Sequence, residues 1–415
     1  MNKRIRTFPL IITIILGLFS QGLYARPLHF IAYGDTRRDI NSREKPQGKH
    51  NAIARVIRDS SPDFILFTGD MICYNEFDRF REVITRNYTG EKMIPLYPVI
   101  GNHEVAFSEK TDVLIQELIK KMEGGNISQK QSSPYSDHLS KTEIFREKLY
   151  KAINSIDEIQ LKKRSRQVLW EEMCDKLNPA YIAYLKEILG STTHDQSWYS
   201  FIKETDGVKI KFIALNSSLP DDAEQFQWFL NELNYFSGPK IIFAHYPPYS
   251  IGHHGCTDLL DKQSKASRFR DRYSTTFNNP SNTILLIISG HEHNYQRTVK
   301  TDKTGGIQLP VYIVSGGGGA ELSGPGKCDI SQIPFDGFRC LQLVRAYQYI
   351  DVTIHSDEKN TVTLQCKVLG LRYDSPQELP DDDVFEKQFI KDRLELIDNF
   401  SLRWQSESLH RRNTD

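Results

Sequence analysis

Charge of one sign is what this chain most conspicuously lacks: its 53 Lys and Arg are cancelled by 53 Asp and Glu. No overall field remains to draw in a nucleic acid or an anionic membrane surface. Its six cysteines (Cys73, Cys174, Cys256, Cys328, Cys340, Cys366) contain no CxxC pair, which argues against a thiolate zinc site or a thiol redox motif. An even count still permits disulfides in an oxidising compartment, with the pairing open. There is no internal repeat and no low-complexity tract. A membrane-length apolar run is missing too, since Pro9 to Phe19 falls short of the roughly 20 residues a spanning helix needs. With Lys3, Arg4 and Arg6 ahead of that run and small or neutral residues leading to Ala25, residues 1–25 read as a secretory signal peptide cleaved near Ala25, an uncleaved anchor being the alternative. The expected product is exported, periplasmic or secreted, with no membrane association after cleavage.

What is present is a rhythm of short apolar runs bounded by Gly, Pro, Asn or Asp. These are LHFIAY (28–33), DFILF (63–67), IPLYPVI (94–100), KIKFIAL (209–215), KIIFAH (240–245), TILLIIS (283–289) and VYIVS (311–315). They predict strands buried on both faces. Helical patterns such as NAIARVIRDS and DDAEQFQWFLNEL lie between them, so the fold class is α/β. Residues 105–195 break the rhythm with charged, helix-period sequence and are expected to form a helical insertion. Past residue 340, YIDVTIHS and NTVTLQCKVLG alternate like antiparallel strands, while 373–415 read as a surface helix and a frayed tail. The main domain is therefore expected over 26–372.

Polar, metal-capable residues follow the strands: YGDTRRD after the first, TGDM after the second, GNHE after the third, then HYPPY and GHEHNYQR. In open α/β sheets this carboxyl edge is where ligands bind, because the loops there converge. Asp35, Asp70, Asn102, His245, His291 and His293 offer only oxygen and nitrogen donors, which suits Mn, Fe or Zn. Two ions fit this set better than one, because two carboxylates leave a divalent pair with residual positive charge that attracts a phosphoryl group and acidifies bound water. Glycines 34, 69, 101 and 290 sit where the chain must turn sharply beside a proposed ligand.

The order GD, GD, GNHE, H, GHEH resembles the calcineurin-like metallophosphoesterase superfamily. The runs WYSF, FAHYPPYS, SGHEHNYQR and VYIVSGGGGAEL are similar to its purple-acid-phosphatase-like branch. The likeness covers roughly residues 28 to 103 and 197 to 322. It implies a four-layer α/β/β/α sandwich around two divalent or trivalent ions, and hydrolysis of a small phosphorylated substrate by a metal-bound hydroxide. It further implies that Asp70 bridges the ions, with Asp35 and His293 on one and Asn102, His245 and His291 on the other. His103 would stabilise the phosphoryl transition state or protonate the leaving oxygen, and Glu104, where relatives more often have Asp, could hold the His103 ring. The expected activity is a phosphomonoesterase, with a phosphodiesterase or nucleotidase, or a non-catalytic binder, as alternatives.

Two departures qualify the resemblance. Arg37 stands where many relatives have a ligand His, and Arg38 where purple enzymes have a ligand Tyr, so no tyrosinate colour is expected. Water or His50 could complete the first ion's shell. Arg37 could instead grip phosphate through its planar fork of donors, or pair with a carboxylate at the loop surface. His253 and His254 lie where relatives place substrate-contacting histidines, and His254 is the preferred one. Tyr295 and Arg297 are expected to brace the GHEH loop, and SGGGGAEL to allow close chain approach, since no P-loop Lys-Ser/Thr follows it.

Overall fold

The computed structural model describes residues 26–37, 47–71, 77–90, 93–104, 197–327, 337–357 and 361–405. The expected signal peptide, the 105–195 insertion, Arg38, and Cys73, Cys174 and Cys328 lie outside them. In chain order the elements begin with β1 (Leu28–Tyr33), α1 (Gly48–Ser60), β2 (Phe64–Phe67), α2 (Phe77–Tyr88) and β3 (Leu96–Pro98). After residue 196 come β4 (Tyr199–Thr205), β5 (Val208–Ala214), α3 (Ala223–Asn234), β6 (Lys240–Phe243), α4 (His253–Thr257), α5 (Lys265–Phe277), β7 (Ile284–Ser289), β8 (Tyr295–Thr301) and β9 (Ile307–Ser315). The chain closes with β10 (Phe338–Val344), β11 (Ala346–Ser356), β12 (Thr361–Arg372), α6 (Asp382–Gln388) and β13 (Glu395–Gln405).

These strands form two sheets, ordered β13-β12-β11-β1-β2-β3 and β10-β8-β9-β7-β6-β5-β4. Each holds a parallel run: β1, β2 and β3 at one end of the first, and β5, β6, β7 and β9 in the middle of the second. Antiparallel strands extend the outer parts. Period-2 alternation then assigns the layers. Phe30, Ala32 and Phe64 face Phe212, Phe243 and Ile288 in the core between the sheets. Ile31, Tyr33, Ile65 and Phe67 point outward and are covered by Ala52, Ile53 and Ile57 of α1, Phe80 of α2 and Phe385 of α6. On the opposite side Ile213, Ile242 and Ile287 are covered by Phe229 of α3 and by Phe269, Tyr273 and Phe277 of α5. The result is the four-layer α/β/β/α sandwich that the family resemblance implied.

Helix starts follow local chemistry. Asp222 caps α3 by accepting from the N–H of Gln225 at 2.8 Å, and Ser264 caps α5 by accepting from Ser267 at 3.0 Å. One expectation fails. The C-terminal helix forms only over Asp382–Gln388, and the presumed tail beyond it contains β13, an eleven-residue edge strand antiparallel to β12. The physical reason lies in alternation that a charge disguises: Asp398, Phe400, Leu402 and Trp404 face inward, and Asp398 is admitted there because it accepts the Tyr295 hydroxyl at 2.7 Å and pairs with Arg297 at 2.8 Å. A bulge at Ile397 shifts the register just before this run. Tyr295 and Arg297 thus brace β8 against β13.

Candidate metal centre

The loops that leave β1, β2, β3, β6 and β7 meet at one rim shared by the two sheets. Each first turn is tight. Asp35, Asp70 and His291 adopt left-handed backbone with φ of 58, 53 and 72°, which swings their side chains back over the strand ends. Such conformations cost about 1–3 kcal/mol each and persist only where surroundings over-determine them. Here the backbone does so: Asp35 donates its N–H to Gly69 O at 2.9 Å, Thr36 to Asp70 O at 3.0 Å, and Gly290 to His245 O at 3.0 Å. Gly101 is required by proximity, since a Cβ there would lie 2.1 Å from Asp70 Oδ1. The glycine run after β9 stitches the rim further, Gly318 donating to Gly34 O and Ala320 to Asp35 O, both at 2.9 Å.

All six residues expected as ligands converge. Asp35, Asp70 and His245 bring ligand atoms within 4.8 Å of one another. Asn102 Oδ1 lies 2.9 Å from His245 Nε2 and 3.1 Å from His291 Nδ1. His293 Nε2 stands 3.7 Å from Asp35 Oδ1, and His245 Nε2 3.4 Å from Asp70 Oδ1. Every one of the six is buried.

Proton positions can be worked out from what lies behind the rings. His245 Nδ1 is 2.8 Å from Thr68 O and His293 Nδ1 is 2.7 Å from Glu321 O. A carbonyl only accepts, so each Nδ1 carries the proton and each Nε2 presents a lone pair to the rim. Burial holds His245, His291 and His293 neutral by lowering their pKa values, with neighbouring His245 adding to the effect on His291 and Arg37 to that on His293. Burial, then the charge of Asp70, pushes the Asp35 carboxyl well above its usual range. Imidazole lone pairs and carboxylate oxygens therefore converge so closely that, without a cation, Asp35 is driven to keep its proton. That arrangement is repulsive alone and favourable around a cation, so the residues present fit the expected ions.

The remaining expected residues divide. Arg37 is mostly buried and turns inward, its Nε 3.7 Å from Asp70 Oδ2, so it faces the centre rather than the loop surface. His103 Nε2 lies 3.8 Å from the same oxygen, and burial, then Arg37, depresses its pKa well below the usual value. His254 of α4 packs its ring 4.2 Å from that of His291, whereas its neighbour His253 is exposed. Glu104 corrects an expectation. Its carboxylate receives the N–H groups of Asp70 at 2.9 Å, Met71 at 2.7 Å and Gly101 at 2.6 Å, bracing the ligand loops instead of serving the His103 ring alone. Burial and the Asp70 charge push Glu104 up to about 8, against the pull of those donors.

His50 is the second correction. It does not reach back to complete an ion's shell: its Nε2 lies 3.1 Å from the Tyr33 hydroxyl, its Nδ1 2.9 Å from Gln47 Oε1, and its ring stacks on Phe80 beneath the sheet. One residue escaped sequence reasoning. Asp258, just past α4 and buried, places Oδ2 2.8 Å from His291 Nε2. It follows no strand and belongs to no glycine-marked turn, so only the folded chain reveals it.

Comparison with known proteins agrees with this geometry. The family model described as calcineurin-like phosphoesterase matches residues 28–295. No curated protein matches the chain. Among solved structures, a purple acid phosphatase from seeds of yellow lupin (Lupinus luteus) is similar at a TM-score of 0.51 and 13% identity, covering 91% of this chain and 54% of its own. This chain thus spans little more than half the length of that relative, and the likeness is one of fold. PhoD gives a TM-score of 0.41 at 13% identity, covering 84% of this chain and 67% of its own. A dimetal phosphatase from Danio rerio gives 0.37 at 12%, covering 83% and 96%. With the matched model spanning more than half its length and the candidate ligands converging at the strand ends, the chain belongs to the calcineurin-like phosphoesterase family of metal-dependent phosphoric ester hydrolases.

Proposed function

We propose that the protein is an exported phosphomonoesterase working on a small phosphorylated substrate with two ions drawn from Fe, Mn or Zn. The observation that carries this reading is the convergence of unprotonated imidazole nitrogens and carboxylates from both sheets on one buried rim. Asp70 would be shared between the ions, Asp35 and His293 would hold one, and Asn102, His245 and His291 the other. A pair of such ions supplies charge neutralisation and activation of water near neutral pH.

The chain's own groups do the rest. Arg37, already beside Asp70, offers a planar fork of donors to phosphoryl oxygens and offsets the repulsion between a bound phosphate and the Asp70 carboxylate. His103 lies at the edge of the rim as a ring that burial keeps neutral, so it would donate a hydrogen bond to the phosphoryl transition state, or protonate the departing oxygen once the charge of bound phosphate has raised its proton affinity, help typically worth about 10² to 10⁴ in rate. His254 forms the wall against which the rest of the substrate packs. Export through the signal peptide at 1–25 is supported by the disulfide-bonded state of Cys256, because such bonds persist in oxidising compartments.

A panel of phosphate mono- and diesters, assayed after reconstitution with Mn, Fe or Zn, tests the proposal. Monoesters are expected to turn over fastest, with Asp70→Asn inactive and His103→Ala slowed at least a hundredfold. Turnover of diesters alone would overturn the monoesterase assignment. Rates no higher than those of the His103→Ala control on every ester would make the protein a binder.

A further inference from the structure

Asp258 stands 33 residues before His291 in sequence and touches its ring in the fold. Both side chains are buried, at 2% and 3% exposure, so no solvent competes for the contact. We propose that Asp258 is a positioning residue: its carboxylate accepts a hydrogen bond from the Nε2–H of His291, which keeps the proton on Nε2 and leaves Nδ1 as the nitrogen that binds an ion. The inference rests on His291 being a metal ligand, as proposed above.

The argument begins with the three rim histidines compared. His245 and His293 are each fixed by a backbone carbonyl, Thr68 O and Glu321 O, behind Nδ1. His291 is turned the other way, with Nδ1 facing Asn102 Oδ1 at 3.1 Å and Nε2 facing a carboxylate at 2.8 Å. A carboxylate behind a ligating imidazole selects the tautomer, orients the ring and makes the free nitrogen a stronger donor to metal. A backbone carbonyl does the first two but carries no net charge, so His291 has the most strongly supported lone pair of the three.

A different use of the same atoms is a third cation between His254, Asp258 and His291, whose ligand atoms also lie within 4.8 Å of one another. That would require Nε2 as a lone pair while Nδ1 remains committed to the rim. Only an imidazolate could serve both sides. His254 Nδ1, moreover, is 3.7 Å from Asp258 Oδ2, too far to share it closely. The hydrogen bond is the simpler occupant.

The placement has a further consequence. Asp258 ends the short helix that begins with His253 and His254, and Glu292, between His291 and His293, accepts the N–H of Gly255 in that helix at 2.6 Å. The loop proposed to contact substrate and the loop that holds an ion are therefore tied at two points, one through Glu292 and one through Asp258.

Two variants decide the matter. Asp258→Ala removes the acceptor, while Asp258→Asn keeps its volume and an amide oxygen but not its charge. In metal-free protein, long-range proton–nitrogen NMR should show His291 as the Nε2–H tautomer in the parent and in Asp258→Asn, and as a mixture in Asp258→Ala. Mn²⁺ titration should show a 10- to 100-fold loss of affinity for one ion in Asp258→Ala and a smaller loss in Asp258→Asn. An unchanged His291 tautomer with unchanged Mn²⁺ affinity in both variants overturns the inference. So does a third bound ion that Asp258→Ala alone loses. If the parent binds no Mn²⁺ at all, the proposed function fails, whereas the tautomer in metal-free protein still reports on Asp258.

Discussion

Replacing Glu104 with Gln distinguishes two roles for the residue after His103. If Glu104 served only to hold the imidazole, the isosteric amide would accept the same ring proton and little would change. In the structure, its two oxygens instead receive three backbone N–H groups, those of Asp70, Met71 and Gly101, at 2.6 to 2.9 Å. Gln offers one oxygen and one NH₂, so at least one buried N–H must face another donor. A stranded buried donor costs about 1–3 kcal/mol, and above about pH 8, where Glu104 is ionised, loss of the charged acceptor adds about 1.5–3 kcal/mol. Above that pH Glu104→Gln is therefore expected to lose roughly 2–5 kcal/mol, and Glu104→Ala somewhat more, tempered by water entering the space. Thermal unfolding of metal-free and Mn²⁺-loaded protein measures this. The loss should be larger in the loaded form, because the displaced groups are the backbone of Asp70 and its neighbours. A Gln variant that melts with the parent and binds Mn²⁺ equally would refute the bracing argument.

Two further expectations concern the rim and its support. Gly101→Ala would put a methyl carbon 2.1 Å from Asp70 Oδ1 and 2.4 Å from its backbone nitrogen; Mn²⁺ affinity and kcat/KM should both fall at least tenfold, and retention of either would show that the loop has room to yield. Burial pushes His50 down to about 3 from 6.5, so the folded chain refuses a proton that the unfolded chain accepts. Its contribution is complete above pH 6.5 and is lost as pH falls toward 3, by about 1.4 kcal/mol per pH unit at most. Urea midpoints of His50→Gln should accordingly change less between pH 7 and pH 4.5 than those of the parent.

How much of this was legible beforehand depended on whether the signal was local. Asp35, Asp70, Asn102, His245 and His291 each close an apolar run, most of them behind a glycine, so strand end and polar group are read together. Burial on both faces was legible in the strands, but the side each residue takes, Phe30 and Phe64 inward, Ile31 and Ile65 outward, came from the fold. β13 was not legible, because Asp398 occupies an inward position and Leu394, Ile397 and Phe400 mimic helical spacing; the partners that make Asp398 tolerable lie about a hundred residues earlier. Glu104 was seen and its main contacts were not, since nothing in GNHE says which N–H groups lie opposite. Asp258 and the true setting of His50 depend wholly on tertiary contacts.

The same division explains why the rim holds its shape through its backbone. Asp35, Asp70 and His291 sit in left-handed conformations, a strain of roughly 1–3 kcal/mol apiece that a bound ion could offset only when present. Main-chain bonds between loops resist relaxation at all times: Asp35 to Gly69, Thr36 to Asp70, Gly290 to His245, and Ala320 to Asp35. Glu104 adds three more from a side chain, and Gly101 allows the approach that makes them possible. Ligand directions are thus set by contacts that contain no ion, which is the condition for electrostatic preorganisation: ions held by these residues would be aimed before a substrate arrives, with little reorganisation of the rim. Because parallel strands of both sheets end at this rim, its loops are anchored directly on the core between the sheets.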